Sequence, residues 1–193
     1  MSLSTRVIAG IGAVVVVGAA TLGGSIAWAS GKTKPASATA TITIGRSSHQ
    51  LDQPTCFDGG KPLSQEKLTE CGKAQADVTK QASLSVNSSD RIGVGVDKET
   101  AKRGWRAGTN GGAAGSQSGA TLAAFQTDNT FSGLQAATSV LTSNRNTTLT
   151  VIGYAPKSAG QAQPDIVAVW LVNLVNDAAP AAAAQAQDPT QGQ

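Results

Sequence analysis

Ser64-Gln65-Glu66-Lys67 has the Ser-x-x-Lys spacing, in which a lysine one helical turn on helps a serine hydroxyl attack an acyl group. The Lys-Thr-Gly and Ser-Asp-Asn elements that accompany it in penicillin-interacting enzymes are absent. A capped helix with a solvated Lys67 is the simpler expectation. His49 is the only histidine. A Ser-His-Asp mechanism would have to use it, but Ser47 and Ser48 are too close along one strand to be its obvious partners. A strand-edge histidine is the alternative. A cupredoxin-type copper centre needs two His, a Cys and usually a Met, which one His and Met1 cannot supply. Gly31-Lys32-Thr33 copies the end of a phosphate-binding loop, but Ile26 stands where the first Gly belongs and no strand precedes it. Asp97 and Glu99 would flank a glycosidic bond only inside a cleft, and otherwise read as charges at the start of a helical turn. No catalytic, cofactor-binding or metal-binding residue is assigned. A hydrolase using His49 or Ser64 is kept as the alternative.

Cys56 and Cys71 are the only cysteines. In an exported chain two cysteines most economically form one disulfide. The closed loop is about 16 residues, worth about 3 kcal/mol in loop-closure entropy. A metal or redox pair is the alternative, but the spacing is not Cys-x-x-Cys and no histidine cluster completes a zinc site.

Export is suggested by residues 7–29 (VIAGIGAVVVVGAATLGGSIAWA), which carry no charge and follow Arg6. Read as a signal peptide, the segment breaks at Gly23-Gly24 and is cut after Ala27-Trp28-Ala29, before Ser30. Read as an anchor, it is long enough to span the hydrocarbon as a transmembrane helix, with Arg6 left in the cytoplasm. Either way an N-terminal apolar helix meets the membrane, and the rest is extracytoplasmic, secreted or anchored to the cell membrane. No cysteine near the end of the segment supports a lipoprotein.

The elements that would position any site follow. Residues 30–37 (SGKTKPAS) are a polar linker. Residues 38–176 form one domain, and the Ala-, Gln- and Pro-rich residues 177–193 a disordered tail. Strict alternation marks a strand over 38–44, and 49–57 is read as its return, interrupted at Pro54. A short helix over 63–73, capped by Ser64 with Leu63 and Leu68 at staple spacing, carries Cys71 back towards Cys56. Residues 82–86 and 92–96 read as a hairpin across Asn87–Asp90. Gly93 and Gly95 share its other face, which must be bulged or closely covered. A helical turn over 97–103 closes at Gly104. Strands are expected at Trp105, at 122–125, at 131–134 and over 147–154. Residues 108–119 are a flexible loop. Residues 166–175 are apolar on both faces, which suits a central strand. About seven short strands with regular turn signals predict a mainly β fold, an immunoglobulin-like antiparallel sandwich with one short helix.

Aromatic residues make up only 4% of the chain. Trp105 and Trp170 are therefore expected in the core, with Trp105 kept as a candidate surface aromatic for stacking on a sugar. Net charge is +3, and the basic residues are scattered except for Lys102-Arg103 and Arg106, so nucleic acid is not an expected partner. No small-molecule cofactor is expected.

Several of these segments resemble a family of small exported actinobacterial proteins of uncharacterised function. The resemblance lies in TITIG (41–45), TCFDGGK (55–61), a second Cys after a polar helix, VGVD (94–97), Gly104-Trp105, and IVAVWLV (166–172) as a terminal tryptophan strand. It covers about half the chain and implies a surface-exposed domain with a Cys56–Cys71 disulfide, but no activity and no site residues. The expected function is a non-enzymatic cell-surface binding or interaction module with an envelope or protein partner. A structural subunit beside a membrane protein is the second alternative.

Overall fold

In the computed structural model, residues 38–112, 119–156 and 164–179 are described. Outside them lie the apolar segment with Ala27, Ala29 and Ser30, the linker, half of the glycine-rich stretch (113–118), residues 157–163 and the tail from 180. Among the described residues the order is β1 (Ala40–Ile44), β2 (Ser47–Leu51), β3 (Cys56–Phe57), α1 (Gln65–Ala76), a 3-10 turn (Val78–Lys80), β4 (Ala82–Val86) and β5 (Arg91–Val96). There follow α2 (Lys98–Arg103), β6 (Trp105–Thr109), β7 (Ala120–Gln126), β8 (Gln135–Ala136), α3 (Ala137–Val140), β9 (Asn146–Tyr154) and β10 (Ile166–Asn176).

Alternation makes β1 a strand with one wet face: Ala40, Ile42 and Ile44 are buried and Thr41 and Thr43 look away. β2 returns antiparallel through Gly45-Arg46, and β5 pairs with the other edge of β1. The first sheet is ordered β2-β1-β5-β8. The second is ordered β3-β10-β9-β6-β7, with β4 also on β10. Apolar residues of both sheets, among them Ile42, Val94, Trp105, Val151 and Trp170, belong to one core cluster.

Several expectations are corrected. β4 and β5 are not a hairpin: β4 runs parallel to β10 in the second sheet, whereas β5 lies on β1 in the first. Alternation sets which face of a strand is apolar but not which strand it pairs with. The same parallel pair departs from a wholly antiparallel fold. The return over 49–57 is two strands in different sheets, β2 and β3, parted around Pro54.

β10 is buried on both faces, as its composition requires. Ala168, Trp170, Val172 and Leu174 enter the main core. Val169 and Leu171 face a satellite cluster with Leu63 and Cys71, to which Cys56, Leu68, Ala74 and Ile166 add. α1 therefore covers one face of β10. It is mostly polar, with Cys71 its only buried residue, so packing and pinning rather than propensity must hold it. Ser64 Oγ accepts from the Lys67 N–H at 3.3 Å, Leu63 N–H donates to Ile166 O at 2.8 Å, and Cys56 and Cys71 are joined with 6.1 Å between their Cα atoms.

Trp105 is wholly enclosed, and its indole N–H donates to Asn129 O at 2.6 Å. It offers no face to a sugar, which corrects its candidacy as a surface aromatic: the inward register of β6 puts it among the few large side chains available to fill the core. Gly93 and Gly95 prove closely covered. Residues 130–132 run along β5, with Val96 N–H donating to Thr130 O and Ser132 N–H to Val94 O. A Cβ on Gly93 would come within 2.8 Å of the Phe131 ring.

Candidate functional site

Of the residues nominated for catalysis, Ser64, Lys67 and Asp97 hold structural posts. Ser64 caps α1, and the Lys67 ammonium lies 2.8 Å from an Asp58 carboxylate oxygen. That hydrogen bond and the lysine's charge hold the Asp58 carboxyl below its ordinary 3.8. A lysine so paired is not a free base for Ser64. His49 is exposed on edge strand β2, opposite Ile42. Ser64 leads into the helix covering the second sheet, and among the described residues no hydrogen bond brings His49 to a serine or a carboxylate.

Asp97 is the busiest side chain of the nominated set. One carboxylate oxygen accepts from the N–H groups of Glu99 and Thr100 at 2.9 and 3.0 Å. The other accepts from Thr39 N–H at 2.9 Å and the Thr100 hydroxyl at 2.7 Å. Burial pushes its pKa up, but these hydrogen bonds together outweigh that and leave it below 3.8. It is the cap of α2 and a tie to the start of β1, with no lone pair left for an acid–base role beside Glu99. Among the described residues no three His, Cys, Asp or Glu side chains cluster to hold a metal. Among them also no helix is long and apolar enough to cross a membrane.

An open region lies elsewhere. On β6 the inward Trp105 and Ala107 alternate with outward Arg106 and Gly108. Gly108 stands opposite Thr150 and Arg106 opposite Ile152 on β9. These residues line a trough of about 670 Å³ on the outer face of the second sheet, with Gln75 of α1 at one side and Thr121 of β7 at the other. The Gln75 side-chain amide donates to Thr150 Oγ1 at 3.4 Å. Gly108 keeps the floor low: a Cβ there would come 3.0 Å from Ala120 O.

Near the Arg106 end, the guanidinium stands 6.0 Å from the centroid of the Tyr154 ring. Phe125 meets the same ring edge-on at 5.4 Å and is 50% exposed. Burial raises the Tyr154 phenol above its ordinary 10.0, partly opposed by the charge of Arg106. The phenol is therefore a neutral hydroxyl at neutral pH. The face offers one cation, a phenol, an amide, hydroxyls and an exposed aromatic edge. That set recognises polar or anionic groups and contains no activated nucleophile.

Sequence reasoning missed Arg106, Tyr154 and Phe125 as a group. One signal was available: with Trp105 inside, alternation puts Arg106 and Gly108 outside. Nothing local tells that β9 and β7 bring Tyr154 and Phe125 to the same place. Against known proteins, the chain matches no family, no curated protein and no solved structure.

Proposed function

We propose that the chain is a non-enzymatic, extracytoplasmic binding module that takes its partner across the outer face of the second sheet. The observation that carries this reading is the open trough lined by Arg106, Gln75, Thr121 and Thr150 beside the Phe125–Tyr154 pair. Its complement is that Ser64, Lys67 and Asp97 are already engaged in structural bonds. The disulfide is compatible with an oxidising, extracytoplasmic compartment. With the uncharged residues 7–29, it supports export by a cleaved signal peptide or a retained anchor. The two-sheet arrangement is read as a variant of the immunoglobulin type in which β4 has joined β10 in parallel. The resemblance to small exported actinobacterial proteins points the same way.

A photo-crosslinking side chain placed at Thr121, inside the trough, or at Ser48, on the exposed strand β2, tests the proposal in intact cells. A discrete adduct from Thr121, absent from Ser48 and weakened by Arg106→Ala, is expected. Equal adducts from both positions, or none from either, would overturn it. The adduct's mass also reports whether residues 1–29 remain and whether Cys56 and Cys71 are joined. A full-length chain with two free thiols would remove the export reading.

A further inference from the structure

We propose a second binding site, for a phosphoryl group, where the β1–β2 turn meets the β4–β5 turn at one end of the first sheet. A concavity of about 830 Å³ opens there, and its walls include Arg46, Arg91, His49, Ser47, Ser89 and Asn87. The trough over the second sheet shares none of these residues.

The frame under this concavity is rigid. Gly45 N–H donates to Arg91 O at 2.9 Å, Asp90 N–H to Asn87 O at 3.0 Å, and Ala137 N–H to Asp90 O at 2.9 Å. Gly45 has a φ of +57°, and a Cβ there would come 2.7 Å from an Asp90 carboxylate oxygen. Arg46 thus sits in the β1–β2 turn and Arg91 at the first position of β5, on backbone segments bonded to each other, which lowers the ordering cost of bringing two cations to one ligand.

The charge there is unbalanced. Asp90 is the acid in the wall, and its Oδ2 already accepts from Asn87 N–H at 2.9 Å. Among the described residues, carboxylates within 4.0 Å of a cation occur at Lys67–Asp58 and Lys80–Asp77, not at Arg46 or Arg91. Arg103 donates to Glu99 O, and Arg106 stands over Tyr154. Among the described residues, Arg46 and Arg91 have no such bond.

Two arginines that line one concavity call for a ligand with oxygens for both guanidinium forks. One fork fills the two oxygens of a carboxylate. A terminal phosphoryl group has three, and the hydroxyls of Ser47 and Ser89 and the Asn87 amide supply further donors. The source is either a soluble phosphate ester or a lipid headgroup.

The test follows amide shifts of the full chain in phosphatidylcholine bicelles during titration with pyrophosphate. Acetate at matched ionic strength is the control, and a second sample contains phosphatidic acid. Saturable shifts at residues 45–49 and 87–91 are expected. They should weaken about tenfold in Arg46→Gln/Arg91→Gln, whose positions are exposed, and by less in Arg46→Lys, which keeps the charge but loses the fork. A response to pyrophosphate identifies a soluble source, and one to phosphatidic acid alone a headgroup. No saturable response to either, an equal response to acetate, or an unchanged double variant would overturn the proposal.

Discussion

Trp170 and Leu171 are consecutive on β10, yet their burial rests on different physics. Trp170 is 1% exposed and lies in a core to which both sheets contribute. Leu171 is 3% exposed, but its cover is a small cluster under α1, a helix with a single buried residue. The inner face has apolar area enough to exclude water by itself. The outer face has too little, and a covalent clip, a helix cap and the Leu63–Ile166 hydrogen bond make up the difference. A core supplied by non-local apolar contact is cooperative, whereas a pinned helix can come loose alone.

Trp170→Ala carries the largest expected effect. It leaves a large cavity between the sheets and should cost about 3–5 kcal/mol, read as a lowered urea midpoint for the entire domain. A small loss confined to amides near α1 would break the comparison. Replacing both cysteines by serine should cost about 2–4 kcal/mol. Hydrogen exchange should then quicken first in α1, with β9 and the inner face of β10 still protected. Uniform quickening would show that the clip serves the entire core.

The smallest effect concerns Asp97, which ties β1 to α2. Asp97→Asn should cost about 1–2 kcal/mol at neutral pH through lost charge-assisted bonds. Because folding depresses the pKa of Asp97, its contribution is present above the unfolded value near 3.8. It is lost as pH falls through the lower folded value. The wild type should therefore lose more stability than the variant below about pH 3.8, measured by denaturant titration across pH 2–5. Parallel acid profiles would sink this assignment.

Much of the domain is readable from the chain. Ala40, Ile42 and Ile44 announce a half-buried strand, Ser64 and Asp97 announce helix starts, and a run apolar on both faces announces β10 as central. The pairing of Cys56 with Cys71 was legible too, and at Gly93 the choice between a bulge and close cover. The candidate site was barely so. Trp105, a surface candidate on sequence grounds, is buried, whereas Arg106 beside it reads in the sequence only as part of a small basic cluster with Lys102-Arg103.

Alternation, caps and glycine positions are local: each states what one segment of backbone can do and which of its faces avoids water. On that basis the sequence alone determines a mainly β domain, where most of its strands and helices lie, and its disulfide. Tertiary structure decided that β4 leaves β5 for β10, that α1 supplies the second cover of β10, and that Arg106, Tyr154 and Phe125 converge. Those outcomes depend on competition among distant segments for the same edge or face, a free-energy comparison that no single stretch of chain contains.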